Sequence, residues 1–239
     1  IGGDVTIHDG DGIDITSITA STLDLLTNGK ITDSGNIAVT NEAKFNSTGN
    51  EILLGDGKAA DVTIVVAETT NFGSVGFAGS TVTITEGSDM MIAESEATGA
   101  LSLTASGKIE QNGRLDADNT TKLDNNSNAA NITLLHTDND FSGAVSIEST
   151  NLVSVVSLND VNSIDLGTLN IAKNFILTSN GTISDSADIE VGDLANFTSG
   201  ANPITLGDGT KANFGSLDFS GFAVTISEAS AMEIAASEA

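Results

Sequence analysis

The chain has 239 residues, of which 33 are acidic and eight are basic, so its formal net charge is −25. It contains nine Phe but no Cys, Trp or Tyr, which predicts a core built mostly from aliphatic side chains. This charge argues against partners that are nucleic acids or anionic lipids, because both require a basic footprint. The absence of cysteine excludes a disulfide framework and thiol chemistry.

Membrane-spanning and targeting segments are not visible in the sequence. No apolar run approaches the roughly 18 residues of a transmembrane helix, and we therefore expect no membrane insertion. The chain begins with Ile1 rather than Met, which suggests a processed protein or a fragment of a longer one.

A repeat runs along the whole chain in four copies. Residues 82–92 begin Val-Thr-Ile-Thr-Glu and match residues 5–15, 156–166 and 224–234 without gaps in their apolar positions. The copies begin 77, 74 and 68 residues apart. Such a period is typical of stacked repeats. It predicts one solenoid over residues 1–239, divided into modules at about 1–20 (partial), 21–96, 97–168 and 169–239.

Other landmarks keep the same phase. Ile-Leu-Leu-Gly-Asp-Gly at 52–57 returns as Ile-Thr-Leu-Gly-Asp-Gly at 204–209, and Asn-Phe-Gly-Ser at 71–74 returns at 213–216. Short stretches such as Leu-Ser-Leu at 101–103 place two apolar side chains on one face and a hydroxyl on the other. This period of two indicates β-strands, and the intervening Gly, Asn, Asp and Ser indicate turns.

Equivalent strands recur about every 20–25 residues, which is one circuit of a solenoid, so each module should hold about three coils. The sequence therefore predicts an all-β fold, a parallel β-helix of about ten or eleven coils. The rival fold is an antiparallel sandwich of three immunoglobulin-like modules. Modules of roughly 70 residues are short for that fold, and buried aromatic residues are scarce.

Several phrases resemble the β-strand repeats of giant bacterial surface proteins of the filamentous-haemagglutinin type. They are Ala-Asn-Phe-Thr-Ser-Gly-Ala-Asn-Pro-Ile-Thr-Leu at 195–206, Asn-Phe-Gly-Ser-Leu at 213–217, Ala-Val-Thr-Ile at 223–226, and residues 156–167. The resemblance implies a right-handed parallel β-helix that is exported to the bacterial cell surface. It also implies a role as a stalk or an adhesive fibre.

Catalytic residues do not emerge from the sequence. The two histidines, His8 and His136, occupy different phases of the repeat, and His8 replaces a Thr or Ser that should be exposed. Lyases with this fold use an Arg or Lys base, and the chain has one arginine, Arg114. A hydrolase requires a defined pair of carboxylates, and no pair stands out among so many. We expect no enzymatic activity and no cofactor.

Calcium is the one metal that the sequence suggests. The weak candidates are Asp9 and Asp11 in an Asp-Gly-Asp-Gly turn, and Asp56 and Asp208, each in a Gly-Asp-Gly turn. Their oxygen ligands would suit Ca²⁺. The alternative is that Asp-Gly is simply favourable turn chemistry, since the tandem calcium-binding nonapeptide is absent.

We therefore expect a structural rod, either the stalk of an extracellular adhesin or the subunit of a fibre or sheath. The alternative is a glycan-binding or polysaccharide-degrading β-helix. Residues 1–20 and 220–239 share one phase of the repeat. Because exposed strand edges invite further pairing, we expect end-to-end self-association or flanking repeats of a longer chain. A host or glycan surface is a further possible partner.

Overall fold

The computed structural model describes residues 2–55, 70–126, 130–148 and 153–238. Every strand pairing among these residues is parallel, and the strands stack into about ten coils. The predicted all-β solenoid is therefore confirmed, whereas its hand stays a prediction. In this part of the chain, no helix has the length and apolar character that crossing a membrane requires.

The strands are short because a turn or a bend follows every few residues. In the first third of the chain they are β1 (Val5–Asp9), β2 (Ile13–Ile15), β3 (Ile18–Ala20), β4 (Leu23–Thr27), β5 (Ile31–Asp33), β6 (Ile37–Asn46), β7 (Ile52–Leu54) and β8 (Thr70–Gly79). In the middle they are β9 (Val82–Glu86), β10 (Met90–Ile92), β11 (Ser95–Ala97), β12 (Leu101–Ala105), β13 (Ile109–Gln111), β14 (Leu115–Ala117), β15 (Thr121–Asn125), β16 (Ile132–Leu134), β17 (Asp140–Phe141) and β18 (Val145–Ile147). In the last third they are β19 (Val153–Asp160), β20 (Ile164–Ser179), β21 (Ile183–Asp185), β22 (Ile189–Thr198), β23 (Ile204–Leu206), β24 (Ala212–Ser220), β25 (Val224–Ile226) and β26 (Ile234–Glu238).

Five of the longer strands bend around corners of the solenoid, so each contributes more than one pairing segment. β6, for example, pairs with β3 through residues 37–39 and with β4 through residues 43–46. With each side of a bend counted separately, one module contains ten segments. In the first full module they are residues 5–9, 13–15, 18–20, 23–27, 31–33, 37–39, 43–46, 52–54, 70–72 and 75–78.

Each segment pairs with the third segment after it, so three segments make one coil. Val5 pairs with Leu23, which lies 18 residues later, and Ile132 pairs with Val156, which lies 24 residues later. The rule also holds across the boundary between modules, where β7 pairs with β9. The predicted coil length is therefore correct for most of the rod, although some coils are slightly shorter.

A module of ten segments is three coils plus one segment, whereas the sequence predicts three coils. Because ten is not a multiple of three, each module begins one face further around the solenoid than the module before it. The first strand of the chain, β1, stacks under β4, β6 and β8. Its repeat equivalent β9 instead continues the stack of β2, β5 and β7.

The core is a column of aliphatic side chains with phenylalanines in short stacks. Phe175, Phe197 and Phe214 form successive edge-to-face contacts, with ring centroids 5.7 and 5.8 Å apart. Phe45 and Phe72 form an equivalent contact at 5.7 Å. Edge-to-face pairs add about 1 kcal/mol beyond the burial of their surface, so these stacks stabilise neighbouring coils against each other.

Close backbone contact explains the glycine of the Asn-Phe-Gly-Ser motif. A Cβ atom on Gly73 would lie 2.2 Å from the carbonyl oxygen of Thr40, in the coil below. A Cβ atom on Gly215 would lie 2.2 Å from the carbonyl oxygen of Gly192. Only glycine fits here, because the solenoid turns its corner with two coils in contact.

Candidate functional site: the module junctions

The calcium candidates from the sequence lie in separate turns. Asp9 ends β1, and its Oδ1 accepts the backbone N–H of Asp11 at 2.8 Å. Asp208 is exposed in the turn after β23, and Asp56 lies outside the described residues. Across the described ranges, no three His, Asp or Glu side chains gather into a group that could hold a metal ion. Calcium binding at these turns stays a prediction.

The Gly-Asp-Gly turns have a conformational reason for their first glycine. Gly55 and Gly207 both have a φ of +72°, a left-handed conformation that favours glycine. The N–H of Gly207 donates to Oδ1 of Asp185 at 2.9 Å, and the N–H of Gly55 donates to Oδ1 of Asp33 at 2.8 Å. A carboxylate from the coil below therefore anchors each turn.

The remaining chemical candidates are far apart in the fold. His8 is exposed on β1, as predicted, whereas His136 lies in the turn after β16 and its Nδ1 accepts the N–H of Asp138. Arg114 forms an ion pair with Asp116 at 2.8 Å. These residues do not converge on one another as a nucleophile with a base, or an acid with a base, would require.

Three carboxylates instead occupy one repeated position, at the junction between modules. Each ends the first strand of a module and accepts the backbone N–H of a phenylalanine in the coil below. The bonds run from Phe72 to Oε1 of Glu86 at 3.0 Å, from Phe141 to Oδ2 of Asp160 at 3.1 Å, and from Phe214 to Oε1 of Glu228 at 3.1 Å. We call these three residues the junction carboxylates.

The backbone beside each junction carboxylate follows the same pattern. The next residue donates its N–H to the carbonyl two positions before the phenylalanine, and no ladder bond then reaches the phenylalanine N–H. These backbone bonds join Gly87 to Thr70, Val161 to Asn139, and Ala229 to Ala212, at 2.8–2.9 Å. A buried N–H without a partner is costly, so the carboxylate replaces the missing strand at the junction.

Further donors hold the junction carboxylates in place. Ser88 Oγ donates to Glu86 at 3.0 Å, and Ser230 Oγ donates to Glu228 at 2.9 Å. At Asp160 the backbone N–H of Asn162 takes this role, at 2.7 Å. Asp9 occupies the equivalent position in the first copy of the repeat. Its bond from the Asp11 N–H matches the bond from Asn162 to Asp160.

Burial changes the acidity of two junction carboxylates. Desolvation raises the pKa of Glu86 from 4.5 to about 7, although the bonds from Phe72 and Ser88 act in the opposite direction. Desolvation likewise raises the pKa of Asp160 from 3.8 to about 6, against the bonds from Asn162 and Phe141. Both groups therefore titrate near neutral pH, unlike ordinary surface carboxylates.

An open groove lies beside the last described junction. It has a volume of about 470 Å³ and crosses four successive rungs of one face. Its polar side chains include Asn170, Glu190, Lys211 and Asn213, and Oδ1 of Asp188 accepts the backbone N–H of Lys211 at 3.0 Å. These are hydrogen-bonding groups without an aromatic platform, which suits a weak polar ligand better than a reaction.

Comparison with known families gives one match. The chain matches the model of a family described as repeats of unknown function (DUF5649), over residues 2–68, 78–148 and 153–217. The chain belongs to this family. The second and third DUF5649 stretches begin just before β9 and at the start of β19, so the family repeat follows the module junctions. No curated protein and no solved structure matched the chain.

The sequence contains the junction carboxylates within its repeated motif but does not reveal their role. Glu86, Asp160 and Glu228 all follow a Val-x-aliphatic strand, and each precedes a small residue or a turn. The regular acidic ending is a usable signal. The phenylalanine that each one caps lies 14 to 19 residues away in the sequence, so the pairing requires the coil register.

Proposed function

We propose that this chain is a structural rod without enzymatic activity. It would serve as the stalk of a bacterial cell-surface adhesin, or as a subunit of an extracellular fibre or sheath. The observation that carries the proposal is the uninterrupted pairing of each segment with the third one after it. A stalk requires this property, because stability then accumulates coil by coil along the axis.

The advance of one face per module also supports a rod. The outward side chains of equivalent segments occur on different faces in successive modules, so they do not stack into one long ladder. A catalytic cleft or a flat ligand-binding face requires its groups to converge on one side. A rod benefits from the opposite arrangement, in which each face has similar stiffness and similar chemistry.

Charge favours an extended assembly outside the cell. The net charge of −25 keeps rods apart laterally, because like-charged surfaces repel one another. The strand edges at the two ends of the stack are composed of backbone groups, which do not carry this charge. Further repeats, from a longer chain or from another copy, would therefore stack on the ends rather than on the sides.

Labelling of intact cells tests the proposed location. Antibodies raised against this chain should label unpermeabilised cells of the source bacterium, and external protease should remove the label. An antibody against a cytoplasmic protein is the control for leaking cells. Labelling that requires permeabilisation would contradict the surface role.

Light scattering tests the stacking of ends. The average mass should rise above the 24.2 kDa of one chain as concentration increases, at moderate salt. The second strand edge of β1 is needed for this stacking, so a proline at Ile7 should reduce the mass. A constant mass of one chain would contradict self-association but would leave stacking by flanking repeats of a longer chain.

Glycan binding is a second candidate function, and the groove beside residues 168–170 favours it. Asp188 and Glu190 would repel acidic polysaccharides, so the ligand should be a neutral glycan that hydrogen-bonds to Asn170, Asn213 and Lys211. Titration of neutral oligosaccharides, followed by NMR, should then shift signals of these rungs. The variant Asn213→Ala should abolish the shifts, with Asn71→Ala as the matched control from the first module.

A further inference from the structure

We propose that the module junctions are pH-responsive, and that Glu86 and Asp160 hold their junctions more firmly when they carry a proton than when they are ionised. The inference concerns how firmly neighbouring modules are joined. It does not depend on whether the rod is a stalk, a fibre subunit or a glycan-binding protein.

The geometry around Glu86 supplies too few hydrogen bonds for an ionised carboxylate. The side chain is fully buried, and both bonds that it receives go to Oε1. The other oxygen, Oε2, is buried and accepts no hydrogen bond within the described part of the chain. An ionised carboxylate accepts several hydrogen bonds in water, so burying it with one oxygen unbonded is costly. Protonation of Oε2 removes that cost and leaves both bonds to Oε1 intact.

The neighbouring charges increase this effect. The strands that pack on Glu86 are β8 and β12, and neither carries a charged side chain. The charged group that faces Glu86 is Asp89, which follows it in the next turn and destabilises its ionised form. Oδ1 of Asp89 accepts the backbone N–H of Lys108, so that carboxylate is held close by.

Asp160 lies in a similar setting at the second junction. It is 2 % exposed and pairs with Ser179 of β20, which is uncharged. The charged group that faces it is Asp140 of β17, whose Oδ1 is bonded to Asn162. Two carboxylates therefore approach each other across this junction, as they do at the first.

The direction of the pH effect follows from the raised pKa values. Glu86 binds its proton with a pKa of about 7 in the folded protein, against 4.5 when exposed. The folded state therefore holds more protons than the unfolded state between about pH 4.5 and 7, and stability falls as pH rises through this window. Asp160 acts in the same direction between about pH 4 and 6.

Thermal unfolding of the full chain at pH 5 and pH 8 tests the inference with Glu86→Gln. The amide resembles the protonated acid, since it keeps one acceptor oxygen and carries no charge. E86Q should raise the Tm at pH 8 by roughly 5 °C and leave the Tm at pH 5 nearly unchanged. Asp160→Asn should produce a smaller change in the same direction, because its window lies lower.

Control variants separate the junctions from the general charge of the protein. Every lost carboxylate lowers the self-repulsion of a chain with a net charge of −25, so a small rise in Tm is expected at any site. Glu96→Gln on the exposed face of β11 and Asp24→Asn on the exposed face of β4 measure that rise. Equal shifts for E86Q and E96Q at pH 8 would overturn the inference. A loss of Tm with E86Q at both pH values would also overturn it, by showing a merely structural role.

A direct titration gives a second readout that does not depend on unfolding. The side-chain carboxyl carbon of Glu86, followed by NMR, should titrate near pH 7, whereas that of Glu96 should titrate near the usual value of about 4.3. Titration of Glu86 together with Glu96 would contradict the proposal, even if the protein unfolds too irreversibly for comparison of Tm values.

Discussion

The junction at Glu86 and the junction at Glu228 have the same contacts but differ in their covering. In both, the carboxylate accepts a phenylalanine N–H and a serine hydroxyl, at distances that agree within 0.1 Å. Glu86 is fully buried because β12 stacks on it through Ala105, whereas Glu228 is half-buried. The comparison separates two effects: the repeat sets the hydrogen bonds of a junction, and the next coil sets its burial.

The largest effect concerns a feature that the two junctions share. Gly73→Ala and Gly215→Ala should each destabilise the protein by about 3 kcal/mol, because each new Cβ would lie 2.2 Å from a carbonyl oxygen of the coil below. Urea unfolding measures the loss, and Gly10→Ala is the control, since nothing lies within 4 Å of that Cβ. A mild effect at one of the two sites would show that the junctions differ in backbone packing as well.

The carboxylates themselves should behave differently from each other. Glu86→Ala leaves the Phe72 N–H buried without a partner and opens a cavity, so it should cost about 2–3 kcal/mol. Glu228→Ala should cost less than about 1 kcal/mol, because water can reach a half-buried site. Urea unfolding at pH 7 compares the two variants, with Glu96→Ala as the exposed control. Equal losses at Glu86 and Glu228 would contradict the role assigned to the covering coil.

The smallest effect concerns the serines that bond to these carboxylates. Ser88→Ala should cost about 1 kcal/mol, since it leaves Glu86 with only the bond from Phe72. Ser230→Ala should have little measurable effect, because Ser230 is exposed and water can replace it. The same unfolding experiment applies, and a larger loss at Ser230 than at Ser88 would reverse the comparison.

The repeat in the sequence was sufficient to predict the fold, because the alternation of apolar and polar residues is what the core reads. It predicted the strands at 101–103, 204–206 and 224–226, which lie within β12, β23 and β25. The number of segments per module could not be obtained in this way. At the bends in β6 and β8 the chain turns a corner without a full turn motif, so two segments on different faces look like one strand.

The candidate site was less predictable for a related reason. Asp9 was singled out by its Asp-Gly turn, and the structure places it at the junction position of the first copy. Glu86 and Asp160 looked like ordinary acidic residues at strand ends, since exposed carboxylates are common in this chain. Their burial depends on which coil stacks on which. That information lies in the three-segment pairing rule and not in the local sequence.

Cysteine crosslinking tests the central claim, that each module advances by one face. The chain has no cysteine, so pairs can be introduced on directly paired, outward-facing residues of adjacent coils. Leu53→Cys with Thr83→Cys, Thr133→Cys with Ser157→Cys, and Thr205→Cys with Thr225→Cys each span one junction. All three pairs should form intramolecular disulfides in dilute solution, detected by mass spectrometry of the cleaved peptides. Lys44→Cys with Thr83→Cys should not crosslink, because Lys44 pairs with Gly76. A disulfide between positions 44 and 83, together with none between positions 53 and 83, would contradict the ten-segment module.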